Sequence, residues 1–344
     1  MLNYRCPKCL ERLIATDEVF RCSKCNTQYP IANSIPNLDH LQSSERLVFD
    51  EMYIGQEHLT ESEISAAKFN ASNLLHFLKL KSTLNLKILE IAAGRGELTV
   101  GLFLSPEIQG SELYCFDHSI QSMRVLVNTL ETVRHQTSNK FFPSVQDVNS
   151  MAFLGPSFDL VVGNATLHHF LDFAEVVENC LALLKPGGKM LFTEPFLSGY
   201  LLVTRIWIQV YEENYGNVKL LDSNFLLNGD LGYLGFIIEN IRIRSGRKRM
   251  DLELLTDKHL FIESDFQKIA DSNEVSVAFY EYLSAISARN LMNDLLDTYM
   301  ITNSEFRIQS LSLWNEYVEL AGQAFWGLNS HFKIIVFTKP EIVA

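Results

Sequence analysis

The chain has 344 residues, enough for roughly two domains at about 150 residues each. It is 47% hydrophobic and 20% charged, which excludes a disordered tail or a fibrous repeat. With 29 Lys plus Arg against 41 Asp plus Glu the formal charge is −12, so a nucleic-acid partner would need a local basic patch and is not expected.

The chain opens on Cys6-Pro7-Lys8-Cys9, followed twelve residues later by Cys22-Ser23-Lys24-Cys25. No signal peptide is visible before them, and the most apolar stretch, Phe196 to Val210, carries Arg205 and is too short for a bilayer. A cytoplasmic protein without a membrane span is the expectation. Two residues between thiols let one tight knuckle present both sulfurs to a single ion, and two knuckles complete a closed tetrahedral shell. The pattern predicts one structural Zn2+ held by Cys6, Cys9, Cys22 and Cys25, with Val19 to Arg21 as a returning strand. So short a segment buries little core, and metal binding would supply its folding energy. Cys25-x3-Tyr29-Pro30 followed by Ile35-Pro36 resembles the zinc ribbon of small methyltransferase-activator proteins, over roughly residues 4 to 39. Its task is open between a brace, a peptide-docking surface and an oligomer contact.

Residues 1–40 thus read as a zinc ribbon and 41–85 as a linker and a helix. Thr60-x-x-Glu63 is a capping-box pattern, and Ile64, Ala67, Ala71, Leu74, Leu75 and Leu78 recur at helical spacing to about Leu80. Strands are predicted at 87–91, 112–116, 140–145, 158–162 and 189–193, alternating with helical patterns, and two late strands at 275–280 and 332–338. This alternation indicates an α/β fold with a parallel sheet covered on both faces. Residues 86–196 form its core, 197–258 a helical insertion read as a lid, and 259–344 the remainder, with a second helical insertion at about 284–328. In the first insertion Phe196, Tyr200, Ile206, Trp207 and Tyr211 give an aromatic helix face that could roof a pocket or be core. Arg242, Arg244, Arg247, Lys248 and Arg249 form a basic run, read foremost as a solvated helix end.

The first core strand ends in Glu90-Ile91-Ala92-Ala93-Gly94-Arg95-Gly96. Small residues let the backbone approach a ligand, and the following helix N-terminus favours an anionic group. No frame fits the G-x-G-x-x-G dinucleotide fingerprint, which disfavours NAD. The next strand ends in Asp117, 21 residues after Gly96, close to the ~20 expected of a ribose-binding acid. With Asp147 after the third strand and the turn Leu184-Lys185-Pro186-Gly187-Gly188, these elements resemble class I S-adenosylmethionine-dependent methyltransferases, of the group acting on small molecules. Ala92 stands where that family usually has its first glycine.

The resemblance implies a Rossmann-like methyltransferase sheet and places Glu90, Ala92, Gly94, Gly96, Asp117, His118, Met123, Asp147, Val148 and Asn164 around S-adenosylmethionine. Glu90 would hold the methionine ammonium, Asp117 the ribose hydroxyls and Asp147 the adenine. The fourth strand ends in Asn164-Ala165-Thr166-Leu167-His168-His169 and lacks the Asn-Pro-Pro-aromatic motif of base-amine methylases. His168, His169 and Glu194 are candidate catalytic residues near the acceptor, with His169 slightly ahead. A small metabolite or peptide-derived natural product is the leading acceptor, its accepting atom (O, N or C) open. An rRNA or tRNA base methylase and a catalytically silent binding module are the alternatives. Oligomeric state is not legible.

Overall fold

The computed structural model describes residues 4–16, 18–39, 50–51, 53–80, 83–216, 237, 240, 244, 257–282, 292–293, 295–297, 301, 303–328 and 332–341. Most of the expected lid beyond 216, four residues of the basic run (Arg242, Arg247, Lys248 and Arg249) and most of 284–302 lie outside them.

The ribbon is a four-stranded antiparallel sheet, β1 (Leu13–Ala15), β2 (Val19–Cys22), β3 (Gln28–Ala32) and β4 (Ile35–Pro36). Each knuckle closes the same way. Leu10 N–H donates to the Cys6 carbonyl at 2.8 Å and Asn26 N–H to the Cys22 carbonyl at 3.0 Å. Leu10 and Asn26 sit at φ +63° and +57°, the left-handed turn that brings the paired sulfurs round to one point.

Helix α1 (Glu61–Leu78) begins at the expected capping box. Thr60 Oγ1 accepts from Glu63 N–H, while Glu63 Oε2 accepts from Thr60 N–H at 2.8 Å. Its buried stripe of Ala67, Ala71, Leu74, Leu75 and Leu78 packs on α2 (Glu97–Leu104). A Cβ at Gly101 would lie 2.2 Å from the Ala67 carbonyl oxygen and 2.8 Å from Ala71 Cβ, so this crossing requires glycine against alanine.

The central sheet contains β5 (Lys87–Glu90), β6 (Glu112–Asp117), β7 (Lys140–Val145), β8 (Phe158–Asn164), β9 (Leu184–Pro195), β10 (Ser276–Glu281) and β11 (Phe332–Thr338). Their order is β10-β11-β9-β8-β5-β6-β7, parallel from β9 to β7, with β11 antiparallel to both its neighbours, β9 and β10. The parallel strands are connected through α2, α3 (Ile120–Val133) and α4 (Phe173–Leu183), and α6 (Glu263–Ser272) precedes β10. Successive residues alternate between two cores. Leu89, Tyr114, Val161, Phe192 and Ile335 join one cluster, and Ile88, Leu113, Leu160, Leu191 and Ile334 the other. Burial on both faces explains the almost unbroken apolar runs of these strands. Pro186-Gly187-Gly188 does not merely precede the last parallel strand. It lies within β9 as a bulge, between the pairs Phe158–Leu184 and Leu160–Lys189, with Gly187 at φ +74°.

The ribbon closes the β7 edge. Leu38 N–H donates to the Val145 carbonyl at 2.8 Å and Arg5 N–H to the Ala152 carbonyl at 3.0 Å. Tyr4 packs edge-on to Phe20 at 5.4 Å and against Phe153 at 5.6 Å, and Tyr4, Tyr29 and Leu38 are continuous with the core below the sheet. An unpaired edge strand is thereby covered.

Helices α5 (Leu197–Tyr215) and α7 (Ser304–Leu328), one from each insertion, pack on each other around a third core. Tyr200, Ile206, Trp207 and Trp314 are buried there, and Trp207 Nε1–H donates to Met292 Sδ at 3.2 Å. Of the two readings of this aromatic face, core is the one found: Tyr200, Ile206 and Trp207 face the partner insertion, because two apolar helix faces remove more surface from water by covering each other, and Phe196 joins the main core.

Candidate active site

The chain reverses strand order between β5 and β8, where a doubly wound sheet leaves a crevice beyond its strand ends. A cavity of about 290 Å³ sits there. Of the cofactor residues expected from sequence, Glu90, Ala92, Gly94, Asp117, His118, Asp147, Val148 and Asn164 line it. Gly96 and Met123 do not. Gly96 is the N-cap of α2 at φ +93°, and a Cβ there would strike the Leu126 side chain. Met123 is fully buried in the core on the other face of the sheet from Tyr4 and Tyr29.

Glu90 ends β5 almost completely buried. Burial pushes its carboxyl up to about 8, opposed by the hydroxyl of Thr99, which donates to Oε2, and reinforced by the nearby Glu97 and Asp117 charges. A buried carboxyl of this kind is suited to receive a cation. Asp117 ends β6, and Gly94 N–H donates to its Oδ2 at 2.9 Å and Ser119 N–H to its Oδ1 at 2.8 Å. That pins the small-residue loop to the next strand while leaving lone pairs for ligand hydroxyls. Asp147 begins the short turn after β7, accepts from Asn149 N–H at 2.8 Å and is half-buried on the cavity wall.

Ala92 is in the left-handed region at φ +47°, and Ala165 at φ +51°. The backbone at position 92 has the shape a glycine would adopt freely, so the alanine carries conformational strain beside the ligand.

The three candidate catalytic residues occupy different places. Glu194 near the end of β9 is fully buried and does not line the cavity. It accepts backbone N–H groups from Thr166 at 2.9 Å, Leu167 at 2.7 Å and His168 at 3.3 Å, and its Oε2 lies 2.7 Å from His168 Nδ1. A carboxylate so held fixes the β8 turn and the His168 tautomer. His168 is 7% exposed, and although burial opposes its charge, the Glu194 bond and the Glu194 and Asp257 charges raise its pKa overall. His169 does line the cavity, with its ring centroid 4.1 Å from that of His168.

Asp257 was not a candidate from sequence. Its Oδ1 lies 3.3 Å from His169 Nδ1 and 3.7 Å from His168 Nε2. The segment around it straps the turn: Lys258 N–H donates to the His168 carbonyl at 2.7 Å, and His259 Nε2 donates to the Phe170 carbonyl at 3.1 Å. Asp39 from the ribbon's tail and Tyr53 also line the cavity unannounced by any motif, since only the tertiary fold brings residues so far apart in the chain to Glu90 and Gly94.

In the ribbon, Cys6 Sγ is 3.6 Å from Cys25 Sγ and Cys9 Sγ is 3.4 Å from Cys22 Sγ, and no disulfide joins them. Tetrahedral zinc with Zn–S of ~2.3 Å requires sulfurs ~3.8 Å apart. All four fall within 4.8 Å of one another, so they could hold such an ion with small adjustment.

This strand order, with acids at the tips of β5 and β6 facing one crevice, is that of a Rossmann-like class I methyltransferase. Residues 89–190 match the family described as a methyltransferase domain. A polyketide synthase-nonribosomal peptide synthetase of Aspergillus clavatus is 32% identical over 111 residues, and tenellin synthetase of Beauveria bassiana 31% over 109. These stretches are 32% and 31% of this chain but only 3% and 2% of those proteins. Among solved structures, the CurJ carbon methyltransferase is 15% identical with a TM-score of 0.45, the alignment covering 85% of this chain and 61% of that one. Among the described residues, no helix is long and apolar enough to cross a membrane.

Proposed function

We propose that the chain methylates a small molecule or peptide-derived natural product, with S-adenosylmethionine as donor and one structural Zn2+ in the ribbon. The carrying observation is that one cavity is lined both by the cofactor acids Glu90, Asp117 and Asp147 and by His169, behind which His168 is locked to Glu194. The polyketide and peptide synthetases that share the domain support an acceptor of that chemistry.

When bound, the cofactor supplies an electrophilic methyl group. Glu90 would meet its ammonium, the Ala92–Gly94 backbone its carboxylate, Asp117 the ribose and Asp147 the adenine. Orientation then supplies much of the rate, since displacement needs an in-line approach. Glu194 is a positioning residue: as an acceptor only, it keeps a proton on His168 Nδ1 and leaves Nε2 as the position where the second proton is gained or lost. The His168–His169 pair is the centre at which the acceptor's proton is removed or displaced.

The test is incubation with methyl-labelled S-adenosylmethionine and source extract, fractionated into RNA, protein and small molecules. Label in small molecules or peptides is expected. Label in RNA would replace this reading with base methylation.

A further inference from the structure

We infer that His168, His169 and Asp257 form a second metal site, for a divalent first-row transition ion, at the acceptor side of the cavity. The inference rests on the reading that the histidine pair meets the acceptor, and it assigns the neutralising charge there to a metal ion.

The argument begins at Glu194. Its carboxylate is held by three backbone N–H groups and can only accept, so the 2.7 Å contact with His168 puts that ring's proton on Nδ1. Nε2 faces Asp257 Oδ1 at 3.7 Å, and the two share a cation there, either a second ring proton or a metal ion. The same Asp257 oxygen is 3.3 Å from His169 Nδ1, so a third ligand atom converges on the same point. The ligating atoms of all three residues lie within 4.8 Å of one another.

Two imidazoles and one carboxylate suit zinc, manganese, iron or cobalt better than magnesium or calcium, which prefer oxygen shells. Three protein ligands leave positions open for an acceptor oxygen. The Glu194–His168 contact is the carboxylate–imidazole second layer that metal-bound histidines ordinarily have. The His168 ring is buried, His169 borders the cavity and Asp257 is half-exposed. An ion could therefore enter past Asp257 and meet an acceptor past His169. A metal there would lower the pKa of a coordinated acceptor hydroxyl or enol and hold its anion.

The experiment uses the full chain with its ribbon loaded with zinc, titrated with Co2+ and followed by visible absorption. One Co2+ per chain with a nitrogen and oxygen ligand spectrum, free of thiolate charge-transfer bands, is expected. Asp257→Ala and His169→Ala should each weaken that binding at least tenfold, with zinc content and melting temperature unchanged. Absence of cobalt uptake outside the cysteines, or equal uptake by Asp257→Ala, overturns the inference and leaves a proton as the cation between these groups. S-adenosylmethionine binding and methyl transfer are measured on the same samples. Their presence without cobalt uptake sinks the metal site alone, whereas their absence sinks the reading on which it rests.

Discussion

Glu90→Gln should stabilise the cofactor-free protein while weakening its hold on the cofactor. The wild-type carboxyl is nearly fully buried and pushed up from 4.5 to about 8. A carboxyl whose pKa is raised on folding contributes its full stability below the unfolded value and loses it as pH rises towards the folded one. From this group alone, stability should fall by about 1.4 kcal/mol per pH unit between pH 4.5 and about 8. Near pH 7 the accumulated cost is about 3 kcal/mol. Glutamine reproduces the neutral side chain and still accepts from Thr99, so most of that cost should vanish. Urea unfolding of the two proteins at about pH 5 and pH 7 is the assay. The variant should be ~2–3 kcal/mol more stable near neutrality, with the gap closing towards acid. Calorimetry should show cofactor affinity reduced about 10- to 100-fold, the loss of one charge-assisted hydrogen bond. A variant no more stable than wild type near pH 7, or a gap independent of pH, would refute the buried-carboxyl argument.

Ala92→Gly removes a methyl from a left-handed residue. Relief of about 1–2 kcal/mol exceeds glycine's entropic penalty of about 0.5–1, so denaturant unfolding should show a net gain of up to about 1 kcal/mol; a loss would mean Ala92 packs usefully. Cys22→Ser should abolish metal binding by the ribbon, measured as loss of the thiolate charge-transfer bands of the Co2+-loaded protein, and lower the melting temperature by at least ~5 °C, because the ribbon's Tyr4, Tyr29 and Leu38 belong to the main core. An unaltered melting curve would make the ribbon an independent appendage. Glu194→Gln keeps an oxygen for Thr166 and Leu167 but turns an amide toward His168 Nδ1, forcing the ring proton to Nε2. Methyl transfer should drop about 100-fold or more with cofactor affinity within a few-fold; equal loss of both would mark a purely structural role.

Local pattern carried most of the sheet. The strands at 87–90, 140–145 and 332–338 lie where β-rich apolar runs put them, because a strand buried on both faces writes its burial into consecutive residues. The α1 cap was equally legible, since Thr60 and Glu63 satisfy each other's backbone N–H groups three residues apart in the chain. The acids Glu90 and Asp117, which line the cavity, were legible as strand ends followed by turns. The cysteine spacing likewise stated a closed four-sulfur cluster.

What the sequence could not express was which distant surfaces meet. Nothing local to Tyr200 or Trp207 says whether an apolar helix face covers a ligand or another helix, and the partner insertion decided it. Glu194 read as a polar strand end near the acceptor, and only the return of the β8 turn over it made it a buried acceptor for three backbone N–H groups. The ribbon's place on the β7 edge, Asp39 in the cavity wall and Asp257 between two histidines are likewise long-range contacts. The division has one physical cause. Periodicity, capping and knuckle spacing are set by interactions between near neighbours in the chain, whereas the charge environment of each site residue is set by groups that only chain closure brings within a few ångströms.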